Sequence, residues 1–366
     1  KLWSNVDNEA ERFLEFERWW GGYFRMTGSE IETIVENLFV GNRLARGEVM
    51  DGDTRINLRN ITAPIVVFAS HGDNITPVPQ ALDWIIDTWG DERAITAAGR
   101  TIIYVLHESV GHLGIFVGGD IARKEHDQLV TSLDVIESLP PGLYEMKLEA
   151  KAGMESLRWE QLEPGDYTVH YEHRTMQDIL ALNPEGREEE QLFSTIAKVS
   201  EVNANFYKTW IRPWVKMLAT REVGDAIGKQ HALRVQRELI SDALPVAPLI
   251  RALAKQVRAQ RTHADPDSDL SQLEKKLDSQ ITGQLNDYRD KRDAQSVELA
   301  RSLYGPQGLG FWFKPDVPDA EVAHARAQVD IEQARQTVLK TITQGALPEA
   351  VCRIVVAGMV SIGSFE

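Results

Sequence analysis

The chain has 366 residues, 43% of them hydrophobic, and a net charge of −15. That is enough for two or three domains, and the charge is of the wrong sign for nucleic acid, whose phosphates are met by clustered Lys and Arg. No apolar run reaches the roughly 18 residues that span a bilayer, and the charged start KLWSNVDNEAERFLEFERWW holds no signal-peptide core.

Residues 1–62 read as helices rich in large aromatics: Trp3, Phe13, Phe16, Trp19, Trp20, Tyr23, Phe24 and Phe39. Two readings stay open, a lid over an apolar pocket and plain packing of amphipathic helices on a sheet. Trp19 and Trp20 cannot share one side of a helix, so one of them is expected to meet a partner or another domain.

The run APIVVFAS (Ala63 to Ser70) is continuously apolar and rich in β-branched residues. A half-buried antiparallel strand would alternate, so this one is expected to be covered on both faces, as in a parallel sheet. It ends in His71-Gly72-Asp73-Asn74, where Gly72 and Asn74 supply turn chemistry and Pro77 and Pro79 stop further strand. A helix follows, with Pro79 in its first turn, Leu82, Ile85, Ile86 and Trp89 as its apolar face, and Gly90 as its stop. Asp73 therefore lies just past the carboxyl end of a buried strand, where ligands and catalytic groups collect in open α/β sheets. The next unit repeats the pattern: TIIYVLH (Thr101 to His107) is a second apolar strand, and His112 sits a few residues beyond it. Neighbouring parallel strands would bring Asp73 and His112 to one rim, the arrangement that orients an imidazole as general base.

From Gly142 to about Arg174 the period changes to strand-like alternation, with Pro164-Gly165 as a turn. A small antiparallel segment is expected there, appended after the first domain. His170 and His173 would face opposite sides of a strand and so not share a metal; no metal or cofactor is expected.

The remainder is helical. Leu192, Ile196, Val199, Val202, Phe206 and Trp210 form one stripe, which Pro213 should bend or end. Acidic GREEEQ (Gly186 to Gln191) reads as a solvated helix start. Leu270, Leu273, Leu277, Ile281, Leu285 and Tyr288 form a second stripe, on a helix laid on others or in a short coiled coil, with Asp269 as its N-cap. Gly and Pro in YGPQGLGFWFKPDVPD forbid regular structure, and Phe311-Trp312-Phe313 there would insert into a neighbour or plug a domain seam. Stripes this long must be buried somewhere, so a homo-oligomer is expected. The divisions expected are 1–140, 141–174, 175–304 and 305–366.

No G-x-S-x-G elbow, with Ser or Cys at its centre, occurs in the chain; GMVSIG (Gly358 to Gly363) has the wrong spacing. The single cysteine, Cys352, excludes an internal disulfide framework and fits a reducing cytoplasm; it reads as a small buried residue in a helix. The chain starts at Lys1 and stops in the apolar run CRIVVAGMVSIGSFE. It is therefore expected to be a C-terminal piece of a longer polypeptide, with the nucleophile upstream of Lys1.

LRNITAPIVVFASHGDNITPVPQALDW followed by IIYVLHESVGHLGIFVGG resembles the carboxyl half of polyhydroxyalkanoate synthases, over about residues 1–140. In that family one strand leads to an Asp-x-Ile-x-Pro turn and a later one to Ser-Gly-His, and IVENLFVGNRLARGEV (Ile34 to Val49) is similar to its helical lead-in. More widely, with NANFYKTWIRPWVKML and LNDYRDKRDAQSVELARSLYG, the chain resembles the DUF3141 proteins. The resemblance implies an α/β fold, the carboxyl half of an α/β-hydrolase-like sheet followed by a small β segment and a helical region. It further implies a cytoplasmic bacterial acyltransferase acting on hydroxyacyl-CoA thioesters through a covalent intermediate, or a related thioester or ester hydrolase, with Asp73 matching the acid and His112 the base. Ser-Val-Gly-His here departs from Ser-Gly-His, and Asn74 replaces the His that commonly follows the acid. The alternative is an inactive hydrolase-derived scaffold that acts through its helices.

Overall fold

The computed structural model describes residues 6–21, 26–112, 132–151, 167–184, 186–239, 241–242, 244–260, 265, 267–343 and 347–362. Trp3, Tyr23, Phe24, the side chain of Trp20, the Pro164-Gly165 turn and the stretch after His112 lie outside them. The chain divides into two compact units, Lys1–Glu190 with Val317–Glu366, and Gln191–Asp316.

The first unit is built on a four-stranded sheet. A small hairpin, β1 (Val49–Asp51) and β2 (Thr54–Ile56), precedes it. The sheet contains β3 (Ile65–Ser70), β4 (Thr101–His107), β5 (Gly142–Ala150) and β6 (Tyr167–His173), in the order β3-β4-β5-β6. β3 and β4 run parallel, in register from Ile65 opposite Ile102 to Ser70 opposite His107. Their unbroken apolar sequence has the cause expected of it. Ile102 and Tyr104 point into one core with Ala69 and Leu143, whereas Ile103 and Val105 point into another with Tyr144, Met146 and Ile136. Alternate side chains thus go to opposite faces, and both faces are apolar.

The β segment at 141–174 is not an appendix. β5 pairs parallel with β4, Thr101 opposite Gly142, and β6 then pairs antiparallel with β5. The expected hairpin exists, but a boundary at residue 140 would cut through the sheet, because β4 has two edges whose N–H and C=O groups need partners. On β6, His173 stacks on Tyr144 with ring centroids 4.4 Å apart, whereas His170 lies 3.5 Å from Glu149.

Helix Val78–Trp89 covers the first face with Leu82, Ile85, Ile86 and Trp89, all buried. It ends at Gly90 in the left-handed conformation, φ 68°, with the Gly90 N–H donating to Ile86 O. A second constraint acts at Gly90: a Cβ there would sit 2.2 Å from the backbone N of His324. That neighbour belongs to helix Asp319–Thr343, which packs on Val78–Trp89 and on Glu92–Ala97. The 305–366 segment expected as a separate helical piece is therefore divided, and its main helix completes the first unit. Ala323 and Ala327 are buried at that contact, with Ala320 and Ile331 beside them; small residues let the helices approach closely. Arg59 lies over the Trp89 ring at 4.7 Å and forms an ion pair with Asp330.

A charge network reinforces the same region. Arg187 pairs with Asp87 and Glu190 and lies 3.9 Å from Asp83. Asn42, in the left-handed conformation, donates through Nδ2 to Asp87 at 3.1 Å and to Asp319 at 2.9 Å, and Arg46 Nε reaches Asp319 at 2.7 Å. Arg187 in GREEEQ is thus largely buried, not part of a solvated helix start. Burial pushes the Asp83 carboxyl up to about 6, against the pull of Arg187.

Expectations for the aromatic leader meet neither core. Phe13, Trp19 and Phe39 are exposed, Phe16 stacks against Trp19 at 5.9 Å, and neither core cluster contains a described residue from 6–62. Cys352, expected to be buried, is exposed on helix Leu347–Ile362.

The second unit is helical. Helix Glu189–Phe206 carries the chain into it and continues through a π-helical turn, Tyr207–Ile211, into Arg212–Leu218. Pro213 does not end the helix, because it falls at the start of that last α segment, where a missing N–H costs nothing. Helices Arg221–Lys229, Ala232–Leu239, Ala247–Gln260 and Asp269–Tyr304 follow. The N-cap of the last is Ser268, whose Oγ accepts from Ser271 N–H at 3.3 Å, and not Asp269. Phe311 and Trp312 are exposed and meet edge to face at 5.4 Å. Among the described residues no helix is long and apolar enough to cross a membrane.

Candidate active site

Because β3 and β4 are parallel and in register, Ser70 and His107 sit side by side at their carboxyl ends. The two turns that follow are knit together. His71 N–H donates to His107 O at 2.9 Å, and Ser70 Oγ accepts from Gly72 N–H at 3.1 Å. Gly72 lies so close to the second turn that a Cβ would fall 2.3 Å from Ser109 O; only glycine fits. Val110, the residue absent from a Ser-Gly-His spacing, is buried and anchors its turn.

These turns bring the two predicted residues together. Asp73 Oδ2 lies 2.9 Å from His112 Nδ1. The other carboxylate oxygen, Oδ1, accepts the N–H groups of Ile75 and Thr76, each at 2.9 Å. Burial is the strongest single influence on Asp73 and pushes its carboxyl up, but the Thr76 N–H, the His112 ring and the Ile75 N–H together hold it below the usual carboxylate range. An ionised carboxylate can only accept, so the contact is made with a proton on His112 Nδ1, and in the neutral ring that tautomer leaves the lone pair on Nε2. The Asp73 side chain is 14% exposed and that of His112 39%, so the acid is sheltered while the imidazole meets solvent. That division is the one an orienting carboxylate and a general base require.

Two participants are not evident from the sequence alone. Thr76 Oγ1 lies 3.4 Å from His112 Nδ1, and the His107 ring accepts backbone N–H groups within the second turn. Only the repeated His in HESVGH marked the latter. Among the described residues no group of three His, Cys, Asp or Glu is placed to hold a metal ion.

The site is thus an acid–imidazole pair on the carboxyl rim of two parallel strands in an α/β unit. The chain itself belongs to the DUF3141 family, described as a protein of unknown function, whose family model matches residues 1–346. A protein of Rhizobium meliloti, described as an uncharacterized protein in the ackA 5′ region, is 39% identical over 358 residues, which is 96% of this chain and 49% of that protein. Two poly(3-hydroxyalkanoate) polymerase subunits, PhaC, are more distantly similar. The one from Haloferax mediterranei is 26% identical over 119 residues, 32% of this chain and 22% of its own length. That of Synechocystis is 23% identical over 121 residues, 30% of this chain and 27% of its own length. The chain thus spans half or less of the length of these curated relatives. No solved structure gives a significant match.

Proposed function

We propose that the chain is the acid–base part of an acyl-transfer enzyme similar to polyhydroxyalkanoate synthases, with Asp73 and His112 as catalytic residues. The observation that carries this is the 2.9 Å contact between them at the ends of adjacent parallel strands. The distant similarity to the polymerase subunits supports the choice of chemistry.

The donor is a hydroxyacyl thioester of coenzyme A. A Cys or Ser outside these 366 residues gives its proton to His112 Nε2 and attacks the thioester carbonyl. The bond from carbonyl carbon to coenzyme A sulfur breaks, the departing thiolate takes the proton from His112, and the acyl group stays on the enzyme. His112 next takes a proton from the hydroxyl of a second acyl unit, or from water, as that oxygen attacks the acyl-enzyme. The nucleophile leaves and recovers the proton. A hydroxyl acceptor lengthens a chain; water releases the acid. Asp73 stays ionised throughout and stabilises the imidazolium.

Release of coenzyme A from a 3-hydroxyacyl-CoA tests this. The chain alone is expected to be inactive, and turnover is expected when a polypeptide supplying the nucleophile elbow is joined to it. In that active protein His112→Ala is expected to lower kcat by about 10⁶-fold, and Asp73→Asn by about 10⁴-fold. Undiminished turnover in His112→Ala sinks the proposal; turnover by the chain alone that this substitution abolishes moves the nucleophile inside it. The scaffold reading has one observation in its favour, the exposed apolar helices of the second unit. It gains if His112→Ala is silent in vivo while removal of residues 269–304 is not.

A further inference from the structure

The two turns that deliver Asp73 and His112 share a device. In the first, Asp73 Oδ1 accepts the N–H groups two and three residues ahead, those of Ile75 and Thr76. In the second, His107 Nδ1 accepts the N–H groups two and three residues ahead, those of Ser109 and Val110, each at 3.1 Å. Asp and Asn commonly close turns this way, with a side-chain acceptor in place of a backbone carbonyl. Here a histidine does it.

We propose that His107 is a positioning residue for the acid–base pair: its Nδ1 lone pair closes the Ser109–Val110 turn and so sets where His112 meets Asp73. His107 is buried at the last position of β4, its backbone C=O fixes the first turn by accepting from His71 N–H, and its ring fixes the second. One residue therefore locks both turns to the same strand end. A ring accepting two N–H groups at Nδ1 carries no proton on that atom, so the tautomer is set with the proton on Nε2. Deleting the acceptor leaves two turn N–H groups without it and frees the five-residue path to His112. The proposal rests on the catalytic pairing above only for its kinetic readout; its structural readout does not.

Substitutions that move the acceptor test it. Asn at 107 places its carbonyl oxygen near the site of Nδ1, whereas Gln carries it one bond further, toward Nε2. The measurement is the imidazole NMR spectrum of the 366-residue chain, in which the Nδ1 proton of His112 bonded to Asp73 gives a low-field resonance that His112→Ala identifies. His107→Asn is expected to keep that resonance, and His107→Gln to lose it, with both variants folded by circular dichroism. In the active protein the same pair is expected to separate in kcat by on the order of 10²-fold with KM little changed, the cost of a displaced catalytic group. Loss of the resonance in His107→Asn, or its full retention in His107→Gln, overturns the proposal. Should His107→Gln fail to fold, His107→Asn alone decides. If the resonance follows this pattern but no variant, His112→Ala included, alters turnover, the catalytic reading fails and the positioning role stands.

Discussion

The two units use the same code of apolar spacing and reach opposite ends. In the first, Leu82 on helix Val78–Trp89 is 0% exposed and lies in a core shared by strands and helices. In the second, the stripe on helix Asp269–Tyr304 faces outward: Leu285 is 62% exposed, and Leu273, Leu277 and Ile281 are also exposed. The lesson is that periodicity specifies a face but not its cover. A sheet gives the first unit a surface on which to bury its stripes, whereas the described residues of the second form helices along which such a stripe stays exposed.

Stability measurements can break or sharpen this contrast. Leu82→Ala is expected to cost about 2–5 kcal/mol, read as a fall in the denaturation midpoint, because it leaves a cavity in a closed core. Gly90→Ala should cost about 2–3 kcal/mol. It forces a side chain into a left-handed site and into the His324 backbone, so helix Asp319–Thr343 should lose protection from hydrogen exchange. Asp83→Asn acts in the other direction. Asp83 titrates near 3.8 when unfolded and near 6 in the folded protein, so between these values the folded state binds more protons and stability falls as pH rises. The substitution is expected to raise stability by on the order of 1 kcal/mol at pH 7 and by nothing at pH 4. Leu285→Ala should cost less than about 0.5 kcal/mol. A loss as large as that of Leu82→Ala, in dilute protein, would mean the stripe is covered and the contrast is false.

How much the sequence disclosed follows the same division. The doubly covered strands, the Gly90 stop and the meeting of Asp73 with His112 were legible, because parallel strands of similar length must end on one rim. The joining of β5 to β4 was not, since alternation in YEMKLEA reports a strand and says nothing of its neighbour. That segment 305–366 is helical was legible, but the packing of helix Asp319–Thr343 on the first unit was not, because its buried side is mostly alanine, which gives little apolar signal. Arg187 was misread because a charged residue looks the same in sequence whether water or Asp87 surrounds it. The role of His107 needed atomic distances, as nothing in the spacing of HESVGH separates a ring that closes a turn from one that only ends a strand.

The Asp87 network also bears on how this polypeptide is put together. Arg187 stands just before the chain departs for the second unit, and Asp319 just after it returns. Asn42 touches Asp87 and Asp319 at once, and Asp87 in turn holds Arg187. Within the first unit, the residues that flank the departure and the return of the chain are thus held in one carboxylate network. An insertion whose two junctions are fixed in this way can lengthen, shrink or be exchanged over evolutionary time while the sheet keeps its shape.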